Sequence, residues 1–223
     1  LTSWIFRYKL FRALGMPGTL PISVTVSVTN MCNSRCKTCF IWKLYHDHPE
    51  LKGKEFKTWE FEKTFESLGE QVVWVTISGG EPYLRSDLPE ICEALCQHCN
   101  PSIVNISTNA LLSDIIEDKT KKILERCDGP TFILNLSLDG VGLRQDEIRG
   151  VSGNFQRFLD TYRRLKGLKA EFASLRVGIH SVVSKYSING LLDVYNYAKQ
   201  LNPDSYITEV AEQRTELFNT EKD

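Results

Sequence analysis

The strongest constraint on the fold is a regular alternation of strand-like and helix-like runs along the 223 residues. Strand runs lie near 23–29, 72–78, 103–108, 132–138, 175–183 and 205–210, and helical patterns lie near 57–69, 86–99, 113–127, 152–168 and 189–201. Repeated strand–helix units predict a parallel sheet with right-handed crossovers. A closed barrel of this kind needs eight units and about 250 residues. The chain therefore predicts an α/β fold, a partial (β/α)6 TIM-like barrel.

The segments before and after the predicted barrel do not continue its alternation of strands and helices. We expect a helical extension over 1–22, the barrel over 23–210 and a charged tail over 211–223 that leads to a missing C-terminal region. The stretch from Ser3 to Leu14 is amphipathic, with aromatic and basic residues interleaved. Such a helix can lie on a membrane surface, but packing on the barrel wall is the favoured interpretation.

Charge and hydropathy exclude several classes of protein. Lys plus Arg is 27 and Asp plus Glu is 28, so the chain carries no basic field for nucleic acid. No apolar run approaches the roughly 20 residues of a membrane-spanning helix, and there is no secretory signal pattern. Closely spaced cysteines suit metal binding in a reducing compartment, which predicts a cytoplasmic protein.

Three cysteines follow directly after the first strand. Cys32, Cys36 and Cys39 have the spacing Cys-x3-Cys-x2-Cys. Three thiolates can hold three irons of a [4Fe–4S] cluster, which normally has four cysteine ligands, so one iron would stay open. The same three could bind zinc with His46 or His48 as the fourth ligand. A non-enzymatic zinc or iron–sulfur binding module is therefore the alternative to an enzyme.

The second strand ends in a short glycine-rich turn. Gly79 and Gly80 allow a close backbone approach, Glu81 follows them, and Pro82 stiffens the exit. With the cysteines one unit upstream, this turn resembles the radical S-adenosylmethionine (SAM) superfamily. The similarity extends from about residue 23 to residue 209 and is to the branch with the molybdenum-cofactor cyclase and the SPASM-type maturases.

The resemblance implies an enzyme with a [4Fe–4S] cluster and SAM as cofactors. Reductive cleavage of SAM at the cluster would yield a 5′-deoxyadenosyl radical. That radical would take a hydrogen atom from an unidentified substrate, which could be a peptide, lipid, glycan or small molecule. A flavodoxin or ferredoxin would donate the electron. The resemblance assigns no catalytic residue beyond the cluster ligands.

The resemblance also implies cofactor-binding roles for residues outside the cysteine loop. The segment from Gly79 to Pro82 would hold the methionyl amino group of SAM. The other implied roles are ribose binding by Ser137, carboxylate binding by Arg149, contact with the methionyl end or the substrate by Asn109, a position near SAM for His180 and shielding of the cluster by Phe40.

Each of the last four roles has an ordinary structural alternative. Phe40 could anchor its loop, and His180 could be a satisfied structural residue. Asn109 could be a turn residue before the next helix. Arg149 could form a surface salt bridge with Asp146 or Glu147.

A second cysteine triad has the same spacing but a different setting. Cys92, Cys96 and Cys99 lie at i, i+4 and i+7 of a predicted helix. The outer two would be separated by roughly 10 Å of helical rise, too far apart to surround one cluster easily. We therefore predict that these cysteines pack in the core.

Overall fold

A computed structural model gives the structure of residues 2–15 and 21–212. A parallel sheet of six strands occurs in this part of the chain, and every strand pairs with its neighbours in chain order. Within the described ranges β1 and β6 form the two edges, so the sheet is curved but unclosed. The partial barrel is therefore confirmed. Most of the predicted charged tail, 213–223, lies outside the described residues.

The predicted strands are confirmed with small shifts at their ends. Their bounds are β1 Ser23–Thr29, β2 Trp74–Gly79, β3 Ile103–Thr108, β4 Thr131–Ser137, β5 Leu175–Val183 and β6 Ser205–Val210. All six point the same way, so their C-terminal ends share one edge of the sheet. This edge is where barrels of this type place their functional sites.

The helices connect successive strands. Their bounds are α1 Thr2–Leu14, α2 Ile41–Asp47, α3 Thr58–Leu68, α4 Leu88–Cys99, α5 Ser113–Arg126, α6 Leu143–Arg149, α7 Asn154–Leu168 and α8 Leu191–Leu201. The five predicted helices correspond to α3, α4, α5, α7 and α8. The sequence pattern missed α2 and α6, because seven residues are too few to show a helical period.

The core lies between the sheet and its helices. Val75 and Ile77 of β2 and Val104 and Ile106 of β3 are buried there. Alternate residues of the same strands point to the opposite, concave face, where serine and asparagine are frequent. The sheet therefore separates an apolar outer layer from a polar inner surface.

The cysteines of α4 belong to the apolar layer. Cys92 and Cys99 are fully buried in the core. The Cys99 thiol donates to the backbone oxygen of Phe65 on α3, with an S···O distance of 3.4 Å. The prediction that this triad packs in the core is confirmed.

The N-terminal helix forms as predicted but differs in its packing. The apolar side chains of Ile5, Phe6 and Leu14 are exposed, so these three do not make the expected contact with the barrel wall. The spacing of apolar residues predicts that a helix has an apolar face, but it does not indicate which part of the protein that face packs against. Within residues 2–15 and 21–212, every helix is too short or too polar to cross a membrane.

Phe65 tests whether the helical layer stabilises the sheet. Its side chain is fully buried, whereas that of Phe56 is 55% exposed. Phe65→Ala should lower the free energy of unfolding by about 3–5 kcal/mol, because it removes buried surface and leaves a cavity. Phe56→Ala is the matched control and should cost clearly less. Anaerobic urea titrations measure both values, and equal losses would contradict this account of the core.

Candidate cofactor site

A cavity opens at the C-terminal ends of β2, β3 and β4, between the cysteine loop and α6. Nine of the twelve predicted site residues lie on its wall: Cys32, Cys36, Cys39, Gly79, Gly80, Pro82, Asn109, Ser137 and Arg149. Ile41, Ser78 and Ser107 also line it. Residues from distant parts of the chain thus meet at the expected edge of the sheet.

The cysteine loop is attached to the C-terminal end of α6. The last carbonyls of a helix have no partner within the helix, and here the loop supplies the donors. Arg35 N–H donates to Arg149 O at 3.0 Å, and Lys37 N–H donates to Ile148 O at 3.0 Å. Gly150 ends the helix at φ +68°, and a Cβ there would collide with Arg35 O. The loop conformation therefore depends on α6, which the sequence pattern did not reveal.

The glycine turn contacts the other end of the same loop. Gly80 N–H donates to Thr29 O and Glu81 N–H donates to Met31 O, both at 2.7 Å. Gly79 has φ +129°, and a Cβ on either glycine would overlap the backbone of residues 29–31. The close approach predicted for these glycines is thus made to the chain itself, and both also line the cavity.

Glu81 is buried and does not itself line the cavity. Its carboxylate is buried and accepts three hydrogen bonds, from Tyr83 N–H at 3.2 Å, Thr108 Oγ1 at 2.9 Å and Asn109 N–H at 2.7 Å. Burial raises the pKa of Glu81 to about 7, although these hydrogen bonds act in the opposite direction. Glu81 ties the ends of β2 and β3 together, and its contact with SAM stays a prediction.

Arg149 forms a buried ion pair. Its Nη1 lies 2.9 Å from Asp139 Oδ2, and the two side chains are 10% and 2% exposed. Asp139 Oδ1 in turn accepts Val182 N–H at 2.7 Å. The alternative of a surface salt bridge with Asp146 or Glu147 is therefore wrong, because helical geometry turns Arg149 inward.

The guanidinium of Arg149, a residue of the cavity wall, has an unused hydrogen-bond donor. Its Nε is buried and has no hydrogen-bond partner in the part of the chain that the structure describes. A buried donor without a partner is rare in folded proteins. Arg149 thus suits an anionic group in the cavity, such as a carboxylate.

Asn109 is a turn residue that also contacts the cysteine loop, and its contact with SAM or a substrate stays a prediction. Its Oδ1 accepts Leu111 N–H at 3.1 Å, as expected for a turn residue before α5. Its Nδ2 donates to Asn33 Oδ1 at 2.7 Å and lies 3.8 Å from Cys32 Sγ. Asn109 therefore contacts the cysteine loop directly.

Phe40 and His180 lie off the cavity wall. Phe40 precedes α2, and the ammonium of Lys43 lies 4.6 Å from its ring centroid. His180 pairs with Ser137 across β4 and β5, and its Nε2 is 3.4 Å from Glu209 Oε2. Their contacts with a cofactor stay predictions.

Four buried polar residues around the site were missed or given no role. They are Ser34, Thr108, Asp139 and Gln145. Ser34 Oγ donates to Arg149 O at 2.9 Å and lies 3.4 Å from Cys36 Sγ. Gln145 Nε2 donates to Ser137 O at 3.0 Å. The parity of polar residues on β4 could have singled out Asp139; the others carry no signal in a single sequence.

The three cysteines fit a cluster better than a single zinc ion. Zinc draws four ligands around one point, with Zn–S distances near 2.3 Å. The side chains of His46 and His48 are 80% and 60% exposed and contact Asp47 and Glu50. Thiols spread over a cavity wall suit separate irons of one cluster.

Burial favours the protonated thiol form of Cys32 and Cys39 in the absence of a metal. It raises the pKa of Cys32 to about 12 and also raises the pKa of Cys39. Metals bind cysteine as thiolate and release its proton. Loading of this site should therefore release protons.

Comparison with known proteins agrees with this site. Residues 26–186 match the Radical SAM superfamily; this range is most of the chain and includes all residues of the described cavity wall. The chain therefore belongs to the radical SAM superfamily of enzymes. Its members use a [4Fe–4S] cluster and SAM, as the resemblance implied.

Individual relatives support the branch named from the sequence. The GTP 3′,8-cyclase of Helicobacter pylori is 32% identical over 183 residues, covering 79% of this chain and 51% of the cyclase. The PqqA peptide cyclase of Bradyrhizobium diazoefficiens is 25% identical over 191 residues, covering 83% of this chain and 45% of that protein. The chain thus spans about half the length of these curated relatives.

A solved structure has the same fold. Native anSMEcpe with bound AdoMet and the Kp18Cys peptide superposes with a TM-score of 0.63 at 20% identity. The match covers 86% of this chain and 51% of that chain. At this identity the likeness supports the architecture alone.

The buried carboxyl of Glu81 predicts a dependence of stability on pH. Between pH 4.5 and 7 the unfolded carboxyl ionises while the folded one stays protonated, because its folded pKa is about 7. Stability is therefore fully present below pH 4.5 and falls by up to about 3 kcal/mol as pH rises to 7. Anaerobic unfolding of wild type and Glu81→Gln, which cannot ionise, isolates this effect. Parallel pH profiles for the two proteins would contradict the raised pKa.

Proposed function

We propose that this chain binds a [4Fe–4S] cluster through Cys32, Cys36 and Cys39 and carries out the reductive cleavage of SAM. When bound, the cluster supplies one electron that breaks SAM into methionine and a 5′-deoxyadenosyl radical, which then takes a hydrogen atom from a substrate C–H bond. The protein supplies binding, orientation and exclusion of water.

The composition of the cavity wall carries this proposal. Three cysteine thiols face the cavity, and within the described residues its lining includes no His, Asp or Glu as a fourth ligand. A cluster with three protein ligands keeps one iron for an outside molecule. The amino and carboxylate groups of SAM are suitable ligands for that iron.

The rest of the wall supports SAM as the outside molecule. Gly79, Gly80 and Pro82 would hold the methionyl amino group beside the cysteines, and the Ser137 hydroxyl would bind the ribose. Arg149 would bind the carboxylate, since its Nε is an unused buried donor. Asp139 would keep the guanidinium at the wall.

The remaining partners are an electron donor and a substrate. We propose a one-electron donor such as flavodoxin or ferredoxin, as the superfamily resemblance implies. The named relatives act on GTP and on the PqqA peptide, and the anSMEcpe structure holds a peptide. For this chain we favour a substrate that presents an uncharged polar group to the cavity, such as a peptide. Ser107, which lines the described wall and has no assigned role toward SAM, is neutral and can form a hydrogen bond with such a group.

The first test is SAM cleavage by the anaerobically reconstituted protein. Wild type reduced with dithionite should convert SAM to 5′-deoxyadenosine and methionine, measured by chromatography. Changing Cys32, Cys36 and Cys39 to Ala should abolish the cluster absorbance, the EPR signal and both products. The matched control changes Cys92, Cys96 and Cys99 to Ala and should keep the cluster, because Cys92 and Cys99 lie in the core and Cys96 packs against it. A loaded wild-type cluster that binds SAM but gives neither product would refute the proposal.

The second test concerns SAM affinity. Arg149→Ala alone would leave Asp139 as an unpaired buried charge, so the informative variant combines Arg149→Ala with Asp139→Asn. Loss of the charged hydrogen bond to carboxylate should weaken SAM binding by about 1.5–3 kcal/mol in calorimetry. Arg144→Ala, on the exposed side of α6, is the control and should bind SAM normally. Unchanged affinity in the double variant would remove Arg149 from the site.

A further inference from the structure

The side-chain amide of Asn109 is held in one orientation by three neighbours. Asn109 is buried at the end of β3, and the three neighbours of its amide are Leu111, Asn33 and Cys32. Leu111 N–H donates to Asn109 Oδ1 at 3.1 Å. An atom that accepts from N–H must be the oxygen, so the other atom of the amide is the donor Nδ2.

The two hydrogens of Nδ2 both have acceptors on the cysteine loop. Nδ2 lies 2.7 Å from Asn33 Oδ1 and 3.8 Å from Cys32 Sγ, and each contact meets the geometry of a hydrogen bond. The contact joins residues 77 positions apart. The other donor recorded at Cys32 Sγ within the described residues is the N–H of Ser34, a local backbone contact at 3.5 Å. Asn109 therefore provides a long-range side-chain hydrogen bond to a cysteine sulfur.

Hydrogen bonds to cysteine sulfurs are one of the factors that set the potential of an iron–sulfur cluster. Reduction adds negative charge to the cluster and its ligands. A donor stabilises the more negative reduced state more than the oxidised state, so it raises the reduction potential.

We propose that Asn109 is a positioning residue that raises the reduction potential of the cluster through the hydrogen bond from its Nδ2 to Cys32 Sγ. The inference rests on the proposed function, since it requires a cluster on Cys32, Cys36 and Cys39. It assigns Asn109 to the cysteine ligand, whereas the superfamily resemblance assigned it to SAM or the substrate.

Asn109→Ser tests the proposal, since a serine hydroxyl can still accept Leu111 N–H in the turn but is too short to donate to Cys32. The midpoint potential of the 2+/1+ couple is measured by an EPR-monitored redox titration without SAM. We expect a shift to lower potential in Asn109→Ser and no shift in Asn105→Ser. Asn105 is the matched control, because it lies on the same strand and bonds Asn135 instead of the cysteine loop. An unchanged potential in Asn109→Ser, or an equal shift in Asn105→Ser, would overturn the proposal.

A measurement on the unaltered side chain covers the case in which Asn109→Ser does not fold or load iron. With 15N in the asparagine side chains, pulsed EPR of the reduced protein should detect a weak nitrogen coupling to the cluster. The coupling should persist in Asn33→Ser, which removes the other labelled amide beside Cys32. Its absence from wild type, or its loss in Asn33→Ser, would overturn the proposal. Failure of wild type to form any cluster would refute the proposed function instead.

Discussion

The site depends on the way the cysteine loop is anchored at both ends by backbone hydrogen bonds. At one end, Gly80 and Glu81 donate to the carbonyls of Thr29 and Met31. At the other end, the terminal carbonyls of α6 accept from the loop. A short loop outside regular secondary structure cannot satisfy its own backbone groups, so its shape follows from these two partners. The positions of the three thiols follow from that shape.

This anchoring links the fold to the chemistry. The parallel sheet places the ends of β2, β3 and β4 side by side, and each end contributes a different part of the cavity. Glu81, which follows β2, accepts hydrogen bonds from Thr108 and Asn109 at the end of β3. The ion pair of Asp139 and Arg149 joins the end of β4 to α6. These bonds fix the three strand ends and α6 relative to one another, although Arg149 Nε has no partner within the described residues. The cavity wall is therefore held in place before any cofactor enters.

Sequence reasoning identified the strands, the long helices and most of the cavity wall. It succeeded because apolar residues that repeat every 2 or every 3.6 positions indicate the buried face of a strand or a helix. It also succeeded because the cysteines and the glycine turn lie next to strand ends. It failed for α6, whose seven residues show no period, and therefore for the true partner of Arg149. Phe40 and His180 do not line the cavity, so their predicted contacts with the cofactor stay predictions. Contacts such as that of Asn109 with Cys32 depend on how distant segments meet, which one sequence does not record.

The central claim is that three cysteines of this chain hold a cluster with one iron left for SAM. Mössbauer spectroscopy of the protein reconstituted with 57Fe tests it most directly, because the method distinguishes individual iron environments. The account predicts four irons per chain, one of which changes its isomer shift when SAM is added while the other three do not. Four irons that stay alike after SAM binds, or a chain that takes up one zinc ion in place of iron, would contradict it.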